Sequence, residues 1–295
     1  MLKQTLFFTN PCKLSLRLKQ LVIEREDFLQ PVTRPIEDIS IVVIENQQVI
    51  TTVPLLNELA KNNVAVIFCD DHYMPAIQLM PLAANSTQQE IFKYQINASL
   101  PVTKRIWKDI IEAKIGNQML FLESLKRDVI RLKALRDTVK SGDSDNNEGI
   151  AAKLYWRELF GDEFIRNRYG SIPNDLLNYG YTILRAATAR ALVGSGLNLA
   201  FGVFHHNRYN AFPLADDIME PYRPFVDDVV FRLWQMGCNT ITQETKTELI
   251  NIVYRDVWIK NKKHPLQVAL TLTAASFLRV LKGEDQHVLL PKYTP

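Results

Sequence analysis

The stretch PLAANSTQQE, residues 81–90, separates two parts of the chain that differ in pattern. Before it, short apolar runs between turn residues are typical of strands; after it, apolar residues recur at helical spacing. The stretch itself is small and polar, and Thr87 followed by Glu90 predicts a capping box at the start of a helix. The break predicts an α+β protein with a small N-terminal β domain, residues 1–85, and a larger all-α domain, residues 86–295.

The N-terminal part contains candidate strands and one short helix. The expected strands are residues 4–8, 14–24, 40–44 and 64–70, and the expected helix is 54–63, with proline at its start and asparagine at its end. Asn46-Gln47 predicts a hairpin turn that brings the run ISIVVIE back as QVITTV. We expect this β-rich domain to form the interface of a dimer.

The C-terminal part reads as a series of helices. Within residues 104–125 the apolar positions at helical spacing are Ile106, Ile110, Ile111, Ile115 and Leu122. The segment KSGDSDNNEG, residues 140–149, has the composition of a loop. The further expected helices are residues 148–160, 174–193, 214–237, 243–260 and 265–282.

Composition and charge narrow the class of protein. Hydrophobic residues make up 47% of the chain, which is ordinary for a globular protein. The net charge of +3 is weak evidence for a nucleic-acid partner, so only a local basic patch on the surface would indicate one. Cys12, Cys69 and Cys238 are odd in number and lack metal-site spacing, which favours a reducing compartment. The run MLKQTLFFTNPCK at residues 1–13 is too short in its apolar part for a secretory signal, and no apolar run approaches the ~18 residues of a membrane span. We therefore expect a cytoplasmic protein with no membrane partner.

The segment GVFHHNRYNAFPLADDIMEPYRP, residues 202–224, gathers imidazole and carboxylate groups between two arginines. If LADDIME is helical, Asp216 and Asp217 lie near the same face as Glu220, where like charges repel. A divalent cation would offset that repulsion, and so would the flanking arginines. Solvated carboxylates with no ligand are the alternative interpretation.

A metal ion needs ligands from more than this one segment. His205 follows the apolar run GLNLAFGVF, and Glu148 stands at the start of another expected helix. Glu148, His205 and Glu220 together offer oxygen and nitrogen ligands with one side open, which suits Mg²⁺ or Mn²⁺ better than structural Zn²⁺. The residues alone leave open that His205 is a satisfied core residue and that Glu148 only caps a helix.

Basic and aromatic residues alternate in the helical part. This mixture is what a phosphate backbone and unstacked bases bind to, although most charged runs are solvated helix faces. The absence of GxGxxG, P-loop and Gly-x-Ser-x-Gly patterns disfavours nucleotide-cofactor enzymes and serine hydrolases. The candidate DNA-binding residues are Lys153, Tyr155, Trp156, Arg157, Arg166, Arg168, Arg185, Arg208 and Arg223.

Four ordered motifs resemble one known family over essentially the whole chain. They are DSDNNEGIAAKLYW at 143–156, NDLLNYGYTILRA at 174–186, GSGLNLAFGVFH at 194–205 and LADDIMEPYRPFVD at 214–227. The chain resembles the CRISPR adaptation integrases, which are metal-dependent DNA endonucleases among the CRISPR-associated proteins. The run HHNRYNAFPLADD, residues 205–217, resembles the branch of this family that accompanies type II CRISPR systems.

The resemblance implies an activity, a ligand set and partners. The family's metal ligands fall on Glu148, His205 and Glu220, and Asp217 matches a supporting acidic position. The implied reaction inserts short double-stranded DNA fragments into a CRISPR array by attack of a DNA 3′-hydroxyl. The implied partners are a second copy of the chain and a dimer of a small companion adaptation protein, joined in a heterohexamer, with other type II proteins as further partners.

Two other functions are weighed against this one. A nucleic-acid-binding scaffold with a purely structural acidic cluster would bind DNA and have no strand-transfer activity. A metal-dependent hydrolase of small phosphoesters would be indifferent to DNA length.

Overall fold

The computed structural model describes residues 3–82, 84–167, 170–205 and 207–294. The chain divides into two compact units, residues 1–86 and 87–295. Strands dominate the first unit and helices the second, which confirms the predicted α+β class.

The first unit contains eight described strands in two sheets and one helix. The strands are β1 (Gln4–Phe8), β2 (Lys13–Arg17), β3 (Gln20–Glu24), β4 (Val32–Pro35), β5 (Ile39–Ile44), β6 (Ile50–Thr51), β7 (Ala65–Cys69) and β8 (Pro75–Leu79), and the helix is α1 (Val53–Lys61). One sheet has the order β1-β5-β7-β8 and the other the order β4-β3-β2-β6.

The apolar run of β5 explains its central place in the first sheet. All six of its residues are buried, and it pairs in parallel with β1 on one side and β7 on the other. A continuously apolar strand suits the interior of a parallel sheet, where both faces are covered. Ile39 and Val42 of β5 pack with Leu55 and Leu59 of α1 in the core of the unit.

The predicted hairpin at Asn46-Gln47 is wrong. Both edges of β5 are occupied by parallel neighbours, and Ile50–Thr51 pairs instead with β2 in the other sheet. Apolar and polar residues do not alternate in the run ISIVVI, so it lacks the pattern of a hairpin strand that exposes one face to solvent. The expected strand 14–24 is in turn a hairpin, β2 and β3, which turns at Leu18 and Lys19, both with positive φ.

The second unit is built from nine described α-helices and one short hairpin. The helices are α2 (Gln88–Ile96), α3 (Leu100–Ser124), α4 (Ile130–Asp137), α5 (Asn147–Phe160), α6 (Asn174–Gly194), α7 (Pro213–Met219), α8 (Arg223–Gln235), α9 (Gln243–Ile250) and α10 (Leu266–Lys282), and the hairpin strands are β9 (Asp256–Ile259) and β10 (Lys262–Pro265). Helix α3 buries the five apolar positions expected from its spacing, and it contacts α4, α5 and α8. It is therefore the element around which the candidate site is assembled.

Three local expectations in this unit are wrong. The helix expected at 243–260 ends at Ile250, and residues 256–265 form a hairpin that turns at Lys260 and Asn261, both with positive φ. The expected helix 214–237 is broken by a 3₁₀ turn over Glu220–Tyr222, because Pro221 and Pro224 cannot donate helical hydrogen bonds. Thr87 precedes α2, but its side chain makes no capping hydrogen bond.

Within the described ranges, none of the helices combines the length and the apolar composition that a membrane crossing requires.

We predict opposite stability effects for alanine at two glycines inside long helices. A Cβ at Gly180 of α6 would lie 2.5 Å from Val226 Cγ1 and 3.1 Å from Leu249 Cδ2, so Gly180→Ala should lower the free energy of unfolding by about 1–3 kcal/mol. A Cβ at Gly116 of α3 meets its nearest atom at 3.5 Å, so Gly116→Ala should raise it by about 0.5–1 kcal/mol. Urea unfolding of both variants measures this, and a destabilised Gly116→Ala beside a neutral Gly180→Ala would contradict the packing described.

Candidate functional site

The position of Glu148 is fixed by the way in which α5 begins. Asp143 Oδ1 accepts a hydrogen bond from the Asn147 N–H at 2.9 Å, and its Oδ2 accepts one from the Glu148 N–H at 3.0 Å. The Asn147 side chain donates to the Leu135 carbonyl at 2.8 Å, which ties the start of α5 to α4. A buried carboxylate at this helix terminus satisfies N–H groups that have no partner within the helix.

Lys114, in the middle of α3, joins the two predicted glutamate ligands. Its Nζ lies 2.6 Å from Glu148 Oε1 and 2.6 Å from Glu220 Oε2. The side chains of Lys114 and Glu220 are 10% and 3% exposed, so the contact is shielded from solvent. Two carboxylates that are 72 positions apart in the sequence therefore meet at one cationic nitrogen.

The charges at this point keep each other ionised. Burial acts to lower the pKa of Lys114, but the charges of Glu220 and Glu148 outweigh burial and leave that pKa raised. Burial acts to raise the pKa of Glu220, but Arg223 and Lys114 reverse the direction and lower it. Arg223 reaches the second oxygen of Glu220, with Nη2 2.9 Å from Oε1.

Asp217 organises the loop that carries His205. Its Oδ2 accepts from the N–H groups of Val203 and Phe204 at 2.5 and 3.0 Å, and its Oδ1 lies 2.5 Å from Nδ1 of His205. The hydrogen bond to Asp217 raises the pKa of His205 against the effect of burial, and the charges of Glu220 and Glu148 raise it further. Because Asp217 occupies Nδ1, the other ring nitrogen, Nε2, is the one that can coordinate a metal ion.

Aromatic packing holds the same loop against α3. The ring of Phe204 stacks on that of Trp107 with centroids 4.3 Å apart, and the edge of the His205 ring meets Trp107 at 5.7 Å. Trp107 lies on the same helix as Lys114, two turns earlier. Helix α3 therefore positions both the loop of His205 and the meeting point of the glutamates.

The side chains of Glu148, His205 and Glu220 are of the types that bind a divalent cation, although they are not arranged around one point as metal ligands would be. Two carboxylates and an imidazole match the ligand preferences of Mg²⁺ and Mn²⁺. Glu220 Oε2 is buried and faces the ammonium of Lys114 at 2.6 Å, so this oxygen is placed to meet a cation. In the parts of the chain that the structure describes, no three His, Cys, Asp or Glu side chains are grouped closely enough to hold a metal ion. The ammonium of Lys114 stands at the position where the two carboxylates converge.

Asp216 has a different partner from its neighbours. Its Oδ1 lies 2.8 Å from Nε of Arg185, and its Oδ2 accepts from the Asn210 side chain at 2.7 Å. The repulsion expected among Asp216, Asp217 and Glu220 is therefore removed by three separate partnerships.

Tyr155 is not a stacking platform for nucleic acid. It is 0% exposed, and its hydroxyl donates to Asp227 Oδ2 at 2.9 Å. Tyr181 donates to the other oxygen of Asp227 at 2.5 Å, and the Arg223 guanidinium lies over the Tyr181 ring, 4.7 Å from its centroid. Burial raises the pKa of Asp227 to about 7, although both hydroxyl donors favour its charged form. Tyr155 was predicted to bind DNA, and its burial contradicts that prediction.

The predicted basic contacts divide into exposed and internal groups. Lys153, Arg157 and Arg208 are exposed, and Arg157 forms surface pairs with Glu158 and Asp162. Arg166 donates to the side chains of Asn174 and Asn178, while Arg185 and Arg223 hold internal carboxylates. Trp156 is half-buried against the aromatic rings of Tyr155, Phe160 and Phe164. Arg168 lies outside the described residues.

Sequence reasoning missed Lys114, Asp143 and Asp227. A signal for Lys114 was present, because it lies on the apolar stripe of α3 between Ile111 and Ile115. Lysine on the buried face of a helix needs an anionic partner, which such a position predicts. Asp143 and Asp227 carry no comparable pattern in the sequence.

Comparison with known proteins gives matches over most of the chain. The family model described as "CRISPR associated protein Cas1" matches residues 6–253. The CRISPR-associated endonuclease Cas1 of Neisseria meningitidis serogroup C (strain 8013) is 37% identical over 297 residues, covering 99% of this chain and 97% of that protein.

Two solved structures have a similar fold. A casposase bound to an integration product aligns with a TM-score of 0.78 and 22% identity, covering 98% of this chain and 92% of its own. A chain of a Cas6-RT-Cas1–Cas2 complex aligns with a TM-score of 0.74 and 20% identity, covering 96% of this chain and 35% of its own. At these identities the similarity shows the fold alone.

We predict that Asp143→Ala weakens the start of α5. The change removes the acceptor of two N–H groups at a buried helix terminus, so the free energy of unfolding should fall by about 1–2 kcal/mol. Asp145→Ala is the matched control, since Asp145 is exposed and forms a surface pair with Lys140, and it should leave stability unchanged. Urea unfolding compares the two, and equal effects would show that Asp143 does not act as a cap.

Proposed function

The chain belongs to the Cas1 family of CRISPR-associated proteins, and we propose that Glu148, His205 and Glu220 form its catalytic metal centre. As a member of this family it is a DNA endonuclease and integrase of spacer acquisition. The observation that carries the proposed site is the approach of Glu148 and Glu220 to one nitrogen, each at 2.6 Å.

The residues have separate roles at this centre. Divalent metal use accompanies membership of this nuclease family, and we propose Mg²⁺ or Mn²⁺ held by Glu148, His205 and Glu220. Asp217 would keep the His205 ring in the tautomer that presents Nε2. Arg223 would hold Glu220 in place through its second oxygen. When bound, the cation supplies a Lewis acid that stabilises developing charge and favours deprotonation of the attacking hydroxyl.

The proposed reaction is a direct transesterification. A DNA 3′-hydroxyl attacks an array phosphodiester in line, a new phosphodiester bond forms, and the array strand leaves with a free 3′-hydroxyl. The chain needs no covalent nucleophile for this, and water in place of the hydroxyl would make the same centre a nuclease. Exposed Lys153, Arg157 and Arg208 would bind the phosphate backbone, which fixes the position of the DNA ends.

DNA and a Cas2-type protein are the kinds of partner that the solved relatives carry. For this chain we propose a homodimer formed through the β domain, residues 1–85. Two such homodimers would flank a dimer of the companion protein in a heterohexamer. Other proteins of a type II system are proposed as further partners.

We predict that Glu148→Gln removes catalysis and leaves DNA binding intact. Strand transfer of a short duplex into an array plasmid with Mn²⁺ should fall about a hundredfold or more. DNA affinity should stay within about twofold, because lysines and arginines supply it. Glu244→Gln is the matched control, since Glu244 also stands in the first turn of a helix, away from the site, and it should be as active as the parent.

The same assay separates the alternatives. Full strand transfer by Glu148→Gln would end the assignment of the metal centre. A parent protein that binds DNA without any strand transfer or cleavage, even with its companion protein, would leave the scaffold interpretation. Hydrolysis of small phosphoesters independent of DNA length would indicate the hydrolase.

We also predict that Lys153→Ala weakens DNA binding without regard to sequence. Lys153 is exposed on α5, five residues after Glu148, so its loss should lower the slope of log affinity against log salt by about one. Lys262→Ala in the exposed hairpin is the control and should not change the slope. Fluorescence anisotropy over a series of salt concentrations gives both slopes, and equal slopes for the Lys153 variant and the parent would remove this residue from the DNA-binding surface.

A further inference from the structure

We propose that Lys114 keeps the metal centre closed and that a divalent cation must displace its ammonium in order to bind. The inference rests on the metal centre proposed above and adds a residue that competes with the metal. It arises because Lys114 Nζ already occupies the point between Glu148 Oε1 and Glu220 Oε2.

The contacts of Lys114 make its position specific. Each of the two oxygens is 2.6 Å from Nζ, slightly shorter than the ~2.7–2.9 Å of a typical charge-assisted N–H···O contact. The side chain is 10% exposed and leaves α3 between the fully buried Ile111 and Ile115. An ammonium in such surroundings remains there because two carboxylates offset the loss of its hydration.

The balance of charge explains why the ammonium and the metal exclude each other. With Lys114 in place, the charges of Glu148 and Glu220 are offset by Lys114 and Arg223. A divalent cation held by the same oxygens would stand next to the ammonium, and two cations repel strongly where solvent has little access, as it has around Lys114 and Glu220. The ammonium must therefore leave the two oxygens before the cation can be bound by them.

The arrangement has a use before metal is bound. A half-buried and a buried carboxylate this close together would repel each other and disturb the start of α5 and the turn after α7, which carry them. Lys114 removes that repulsion and preserves the spacing of the ligands. The affinity for metal then depends on how much more tightly the two carboxylates bind the metal ion than they bind the ammonium of Lys114, and not on the ligands alone.

The test is Mn²⁺ binding by the intact protein, measured by the electron paramagnetic resonance signal of free Mn²⁺. Lys114→Met keeps an unbranched side chain that is one atom shorter and removes its charge, so Mn²⁺ should bind about tenfold more tightly or better. Lys108→Met is the matched control on the same helix, because Lys108 forms a surface pair with Glu112 at 3.6 Å, and its affinity should equal that of the parent.

The outcomes separate this inference from the proposed centre. Parent-like or weaker Mn²⁺ binding by folded Lys114→Met, in a protein whose binding is lost in Glu148→Gln, would overturn the role of Lys114 and leave the centre standing. Mn²⁺ binding that survives equally in Glu148→Gln and Glu220→Gln would overturn the centre itself, and the inference with it.

A measurement on the unaltered protein covers the case in which Lys114→Met does not fold. Acetylation of Lys114 by an N-hydroxysuccinimide ester, followed by mass spectrometry, should be slow without metal and several-fold faster with saturating Mn²⁺, since the displaced amine loses both partners. Lys108 serves as the internal reference and should react at one rate throughout. Acetylation of Lys114 that is unchanged or slower with Mn²⁺ would overturn the proposal.

Discussion

The approach of Glu148 and Glu220 to the ammonium of Lys114 is the constraint on which the site depends. Three pieces of chain must be placed correctly for it to exist. Helix α3 presents the lysine from its buried face, and the Asp143 cap fixes the first turn of α5, which carries Glu148. The break at Pro221 ends α7 at Met219, immediately before Glu220. A buried ion contact of this kind tolerates little displacement, because a carboxylate that loses its partner in a dry place is strongly destabilising.

Each of the other carboxylates around the site also has its own partners. Asp217 contacts His205 and its loop, Asp216 pairs with Arg185, and Asp227 accepts hydrogen bonds from two tyrosine hydroxyls. Because each carboxylate has its own donors, the segment LADDIME can carry three of them without mutual repulsion. Arg223 links two of them, since it contacts Glu220 and lies over the ring of Tyr181, which donates to Asp227. Glu220 is thereby supported from two sides.

The sequence predicted an element correctly where one regular pattern of apolar residues runs along its length. The apolar spacing of α3 and the continuous run of β5 were interpreted correctly, but the partners of β5 depend on distant strands that no local pattern encodes. Residues 256–265 were expected to be helical up to 260 and instead form a hairpin. Tyr155 was misjudged because aromatic residues among basic ones also satisfy a core stripe, here with Ala151 and Leu159. Lys114 was missed because a lysine at a buried position gives no indication of which distant carboxylates it will meet.

The central claim, that Glu148, His205 and Glu220 bind one divalent ion, is tested most directly by pulsed electron paramagnetic resonance of the Mn²⁺-loaded protein. A directly bound imidazole nitrogen gives a ¹⁴N coupling to the metal. The account predicts one such coupling in the parent and its loss in His205→Gln at saturating Mn²⁺. A coupling that persists unchanged in His205→Gln, or that is absent from the parent, would contradict it.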